Sequence, residues 1–140
     1  MTHELLQENG SPYPRGFKKI SVVVNDERTT PPDQVEIEMK KLIEWYRREK
    51  GNIFPFQMAF EWHLRFEKIH PFENGNGRIG RFLMNKILIS YGFPPMVLFS
   101  SNRQAYFNAI ASTRDGRRQK YYTFMLESYL KSLLFFSQKK

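Results

Sequence analysis

The residues best suited to chemistry lie in one short stretch, His70-Pro71-Phe72-Glu73-Asn74-Gly75-Asn76-Gly77-Arg78-Ile79-Gly80-Arg81. Glycines at alternating positions 75 and 77 permit positive φ and close backbone approach, so successive N–H groups can form a concavity for an anion. A helix starting near Gly77 adds orphan N–H donors and the positive end of its dipole. Arg78 and Arg81 are three residues apart, which brings both guanidinium groups to one side of that helix. Two such forks beside a nest of amides suit a di- or triphosphate. His70, at the opposite lip of the loop, is the type of group that takes a proton from an attacking hydroxyl near neutral pH. Phe72 is expected to tuck under the loop and hold its shape. Together these residues read as a phosphate cradle with a base, a site for nucleotidyl or phosphoryl transfer.

The elements that must position this site follow from the patterning on either side. From Pro32 to Lys50 apolar residues recur at three- and four-residue spacings, and Gly51 stops the helix. Pro55 suits the first turn of a second helix. Met58, Phe60, Trp62, Leu64, Phe66 and Ile69 make that helix apolar nearly all round, which places it centrally. A third helix leads out of the Gly- and Asn-rich loop and ends at Gly92. Two more are expected over residues 101–113 and about 117–136, separated by Asp115-Gly116. The β-branched run at 18–24 is a strand candidate, broken by 25–32. The expectation is an all-α bundle with one short β-hairpin. Residues 1–17 form an irregular entry segment, 18–136 the core domain and 137–140 a basic tail.

Composition narrows the function classes. The 140 residues suffice for one domain, and 13 Phe, 7 Tyr and 2 Trp can fill its core, which excludes disorder as the overall description. No cysteine is present, so disulfides, thiolate catalysis and Cys-based zinc sites are excluded. No apolar run approaches membrane-spanning length and no secretory signal is visible, so a cytoplasmic soluble domain with no membrane partner is expected. The 22 Lys and Arg exceed the 14 Asp and Glu by 8, a balance that favours polyanionic partners. The positive charges are scattered, however, and no aromatic-and-basic platform or recognition-helix signature supports nucleic acid.

The stretch from His70 to Arg81 resembles the signature of the Fic family, H-x-F-x-[D/E]-G-N-G-R-x-x-R. His70, Phe72, Gly75, Asn76, Gly77, Arg78 and Arg81 match it, and the likeness extends from about Gly16 to Leu134. The resemblance implies a Fic-type helical bundle with a β-hairpin flap. It also implies transfer of AMP from ATP onto a hydroxyl of a target protein, or of the protein itself, with release of pyrophosphate and with Mg²⁺ or Mn²⁺ as cofactor. On this carry-over His70 is the general base, and Gly75, Asn76 and Gly77 form the anion hole for the α- and β-phosphates. Arg78 holds the β/γ end and Arg81 pairs with the γ-phosphate. The flap corresponds to Val24, Asn25, Asp26, Glu27, Arg28 and Thr29, which would clamp an extended target segment by strand addition.

Three departures from the family pattern stand out. The acidic metal ligand of the signature is Asn74 here, an amide oxygen without charge, so the metal is expected to bind weakly and activity to be low. The position that often supplies an adenine-contacting Asn corresponds to Arg114. The inhibitory motif [S/T]-x-x-x-E-[G/N] has no match, the nearest being Thr123 to Ser128. A regulatory helix lost from a longer protein, a separate antitoxin-like inhibitor, or an unrestrained core are the corresponding expectations.

Among other residues, His63 is expected to be a helix histidine satisfied by a backbone or loop partner rather than a metal ligand. Trp45, Trp62 and Leu133 to Phe136 read as core, although an exposed Phe135-Phe136 would suit a missing domain or a second copy in a homo-oligomer. Arg103 and Tyr106 match family positions and read as packing and capping residues. Lys18 and Lys19 read as solvated. Besides AMP transfer, two alternatives stay open: a Fic-type transferase of another phosphate-bearing group, and a nucleotide-binding module with an impaired metal site.

Overall fold

The computed structural model describes residues 16–138. Residues 1–15 of the irregular entry segment and the last two residues of the basic tail lie outside that range. Five helices and one two-stranded ribbon follow in order: β1 (Val23–Val24), β2 (Glu27–Arg28), α1 (Val35–Glu49), α2 (Pro55–Ile69), α3 (Asn76–Ser90), α4 (Arg103–Ala111) and α5 (Gln119–Ser137). Single 3-10 turns, Pro32–Gln34 and Ser100–Asn102, lead into α1 and α4.

α2 is the central element. Pro55 opens it, where its missing N–H costs nothing. Nine of its fifteen residues are buried, among them Met58, Phe60, Leu64 and Phe66. Side chains of this size contribute about 1.5–3 kcal/mol each when withdrawn from water. α2 packs most extensively on α3, and further on α1 and α5, while α4 leans on α5. Trp45 and Trp62 belong to the same core, as the sequence suggests. The end of α5 differs in part from expectation: Leu133 packs against the core, but Leu134 is 63% exposed and Phe135 and Phe136 are only partly covered. Its spacing is as apolar as that of a buried helix, but its cover is partial, with the Phe99 ring 5.6 Å from that of Phe135.

The strand expected over 18–24 shrinks to Val23–Val24, paired antiparallel with Glu27–Arg28 so that Val23 faces Arg28 and Val24 faces Glu27. Asn25 and Asp26 both take positive φ, 49° and 66°, as a two-residue turn that matches strand twist requires. The root of this hairpin is stitched to the end of α2. The Lys18 N–H donates to the Pro71 carbonyl at 2.8 Å, and the Thr30 N–H to the Lys68 carbonyl at 3.3 Å. These bonds carry the hairpin against the loop that follows α2.

Candidate functional site

The site is built where α2 stops and α3 begins. Pro71 cannot continue the helix, and His70 ends it in the left-handed region with φ 49° and ψ 63°. This conformation, uncommon for a residue with a side chain, turns the imidazole out of helical register. His70 is half-buried and lines a cavity of about 450 Å³ together with Glu67, Gly77, Arg81, Arg103 and Tyr106. That volume lies within the usual range of ligand pockets. Burial, with the Lys18 ammonium as a second cause, pushes the imidazole down to about 4. At neutral pH it is therefore unprotonated. Its Nδ1 is buried without a hydrogen-bond partner among the described residues.

Lys18 corrects the sequence reading. It is 2% exposed rather than solvated, and its Nζ donates to Thr29 Oγ1 at 2.7 Å and to the Ile69 carbonyl at 3.2 Å. Thr29 Oγ1 in turn donates to the Val22 carbonyl at 2.6 Å. One buried ammonium thus ties the base of the hairpin to the peptide preceding His70, and desolvation lowers its own pKa. Lys19 is exposed as expected.

The loop from 71 to 75 is held from inside. Asn76 is 2% exposed; its Oδ1 accepts from the Phe72 N–H at 2.8 Å and its Nδ2 donates to the Phe72 carbonyl at 2.7 Å. An amide carries its acceptor and its donor on separate atoms of one short side chain, so it can meet an N–H and a carbonyl at once. Phe72 lies under the loop, as expected, with its ring centroid 5.8 Å from that of Phe17 and 6.5 Å from that of Phe66. The Asn76 side chain therefore faces the protein, and only its backbone is left for a ligand.

Gly75 takes φ 83° and precedes α3 without a side-chain cap. The first intrahelical bond runs from the Ile79 N–H to the Gly75 carbonyl, so the amides of Asn76, Gly77 and Arg78 are orphan donors at a helix N-terminus. Gly77 differs from the positive-φ reading: it lies inside the helix, and its lack of a side chain makes room. A Cβ there would sit 3.0 Å from Arg81 Nη1, so the Arg81 guanidinium folds back one turn over the start of α3. Arg78 folds back similarly, with Nη2 4.0 Å from the Cβ position of Gly75, but it does not line the 450 Å³ cavity. Among the described residues neither arginine forms an ion pair with a carboxylate. Asn74 is exposed and Glu73 half-buried. No group of three or more His, Asp or Glu side chains gathers anywhere among the described residues.

A second cavity, of about 220 Å³, adjoins the first. Its walls are the hairpin on one side and Phe107, Ile110, Ala111 and Arg114 of α4 and its end on the other. Arg114 pairs with Glu27 of β2 and so links the hairpin to the C-terminal end of α4.

Several residues of the site neighbourhood have no signal in the motif. Glu67, one turn before His70, lines both cavities; burial pushes its carboxyl up to about 7, against the opposing pull of Arg81. Gly80 allows that closeness, since a Cβ on it would lie 2.4 Å from Glu67 Oε1. His63 Nε2 shares a hydrogen with the Tyr106 hydroxyl at 2.7 Å, and full burial pushes the ring down to about 4. It is a core histidine rather than a metal ligand, but its partner is a side chain of α4 instead of a backbone or loop group, and its Nδ1 is buried without one. Glu61 is buried and joined to Arg65 at 2.8 Å, Arg118 at 3.0 Å and Tyr122 at 2.7 Å. Burial alone would raise its carboxyl, but those hydrogen bonds outweigh it and hold the group below its usual value. This cluster fastens α2 to the start of α5.

The fold is a helical bundle in which the loop between α2 and α3 and the hairpin meet at one cavity. The Fic/DOC family profile matches residues 1–88, and the chain belongs to that family. It is 32% identical over 109 residues to a probable protein adenylyltransferase of Aquifex aeolicus, covering 76% of this chain and 33% of that protein. It is 29% identical over 118 residues to the protein adenylyltransferase Fic of Drosophila mojavensis, covering 84% and 24% respectively. The chain thus spans a quarter to a third of the length of these curated relatives. The crystal structure of a Fic-domain-containing signaling protein from Bacteroides thetaiotaomicron superposes with a TM-score of 0.75 at 28% identity, over 85% of this chain and 52% of that one.

Proposed function

We propose that this chain is a protein adenylyltransferase, moving AMP from ATP to a hydroxyl of a target protein. The observation that carries the reading is the convergence on one cavity of an unprotonated His70, Gly77 in the first turn of α3 and the folded-back Arg81. In this reading the α- and β-phosphates lie on the amides of Gly75 to Gly77, Arg81 meets the γ-phosphate and Arg78 the β/γ end from outside. The base occupies the smaller apolar cavity beside Arg114. An acceptor hydroxyl gives its proton to His70 Nε2 as its oxygen attacks the α-phosphorus. The bond from that phosphorus to the β-bridging oxygen breaks, and pyrophosphate leaves with the electron pair. The base acts only while neutral, so its depressed pKa keeps it competent across neutral pH. The cradle donors stabilise charge on the non-bridging oxygens without moving.

The hairpin is where the target docks. Residues 24–29 form a short ribbon rooted through Lys18 beside His70, and an extended segment added to its edge brings a side chain to the cavity mouth. Such recognition uses main-chain bonds and leaves the identity of the target open.

The donor set fits a divalent ion that arrives on the triphosphate. Asn74, exposed in the loop ahead of α3, offers one neutral oxygen, and Mg²⁺ ordinarily needs only one or two protein ligands beside phosphate oxygens and water. Bound there, Mg²⁺ or Mn²⁺ would offset phosphate charge. With no carboxylate at position 74, weak metal binding and slow turnover are the consequence. The neutral ligand also favours a second reading, a nucleotide-binding module with an impaired metal site. Cytoplasmic action fits ATP as substrate and a chain without cysteine. No helix of the described residues is long and apolar enough to cross a membrane.

Incubation with Mg²⁺ and ATP labelled at the α- or the γ-phosphate separates the readings. Label from the α-phosphate on protein supports AMP transfer. Label from the γ-phosphate alone would make the chain a kinase-like transferase, and retained ATP binding without label a binding module.

A further inference from the structure

The two adjoining cavities share three wall residues, Val24, Glu67 and Phe107. With the base in the smaller cavity and the phosphates in the larger, the sugar must lie at this partition. Two of the three shared residues are apolar, so the only polar side chain positioned there is Glu67. We propose that Glu67 is a specificity residue for the sugar of the bound nucleotide, its carboxyl hydrogen-bonding the vicinal 2′- and 3′-hydroxyls of a ribonucleotide. This rests on the nucleotide-binding reading of the same site.

Three observations support it. Glu67 Oε1 is buried without a hydrogen-bond partner, pressed toward the gap left by Gly80, and no ion pair within the described residues satisfies the carboxyl. A buried polar group left in that state is costly unless a ligand completes it. Second, the groups around it do not complete it. Arg81 folds back toward Gly77, and the Tyr106 hydroxyl is already joined to His63. Third, a carboxyl raised to about 7 is substantially protonated near neutral pH. In that form it both donates and accepts, as a vicinal diol does, and it adds no full negative charge beside the triphosphate. A sugar lacking the hydroxyls would leave Glu67 buried and unpaired. Sites built to bond a hydroxyl discriminate strongly against its absence for that reason.

The test is equilibrium binding of ATP, 2′-deoxyATP and 2′,3′-dideoxyATP to the full chain and to Glu67→Ala and Glu67→Gln. We expect the wild type to bind ATP about tenfold or more tighter than dideoxyATP, with 2′-deoxyATP between them. Glu67→Ala should bring the three ligands to within about twofold of one another, and Glu67→Gln, which keeps a donor and an acceptor, should retain most of the preference. Wild-type binding of ATP without sugar discrimination would overturn the role of Glu67 and leave the nucleotide site intact. Full discrimination surviving in Glu67→Ala would overturn it equally. No binding of any nucleotide by the folded wild type would remove both the proposed function and this inference. The wild-type comparison stands even if a variant fails to fold.

Discussion

Asn76 is the residue whose removal most directly tests how the loop is held. Its amide makes two short bonds to one residue, the N–H and the carbonyl of Phe72, at 2.8 and 2.7 Å, and the side chain is 2% exposed. Asn76→Ala removes both bonds at a site where Phe72 is itself 6% exposed. Each hydrogen bond lost at a buried site costs about 1–3 kcal/mol, so a loss of about 3 kcal/mol is expected once partial relaxation is allowed for. For a chain of this size that corresponds to a drop in Tm of roughly 10 °C. Asn76→Asp should fall between the two proteins, because an oxygen still accepts from the Phe72 N–H but nothing donates to the carbonyl. Thermal unfolding followed by circular dichroism measures the shift, and ATP affinity measured in parallel should weaken as the orphan amides lose their fixed direction. A loss below about 0.5 kcal/mol for Asn76→Ala would refute the claim that this clasp sets the loop.

Three further outcomes follow from the same geometry. Gly80→Ala should destabilise by about 1 kcal/mol in the wild type through its clash with Glu67 and Phe66. In the Glu67→Ala background only the close Phe66 contact is left, so the same change should cost clearly less, and denaturant unfolding of the double-mutant cycle reads the coupling. Lys18→Gln removes the cation beside His70, so the imidazole should titrate above about 4 by NMR while staying below its ordinary value, since burial is the larger cause. The acid limb of transfer, where the base is lost to protonation, should move up in pH with it; an unmoved titration would contradict the electrostatic role of Lys18. Asn74→Asp should lower the Mg²⁺ concentration at which ATP stabilises the protein in a thermal shift assay, and an unchanged requirement would show that position 74 does not face the metal.

The parts of the fold that local chemistry decides were readable from the residues. Pro55 starts α2, Gly92 follows the end of α3 with φ 86°, and the apolar surround of α2 marks it as central. The grouping of Gly75, Gly77, Arg78 and Arg81 around the start of α3 was readable for the same reason, since they lie within two turns of one another. What escaped depends on contacts between distant segments. The burial of Lys18 comes from a bond to Ile69, 51 residues away, and nothing in the run Lys18-Lys19-Ile20 distinguishes a buried lysine from a solvated one. Glu67 and Gly80 acquire meaning only from the close approach of α2 and α3. The apolar run at Leu134 to Phe136 misled in the opposite direction: hydrophobic spacing says which face seeks cover and not whether an element lies there. The strand near residue 20 is shorter than its β-branched content suggests, because beyond the Val22 carbonyl, which accepts from Thr29, the chain is tied to α2 through Lys18 and Thr30 instead of to a partner strand.

The account stands most directly on His70 acting as a base rather than as part of the cradle. The decisive measurement is ATP affinity and the rate of α-phosphate label transfer, determined side by side for the wild type and His70→Ala. The account predicts that transfer is abolished while affinity stays within a few fold. Transfer that persists in His70→Ala, or affinity lost in parallel with it, would contradict the assignment.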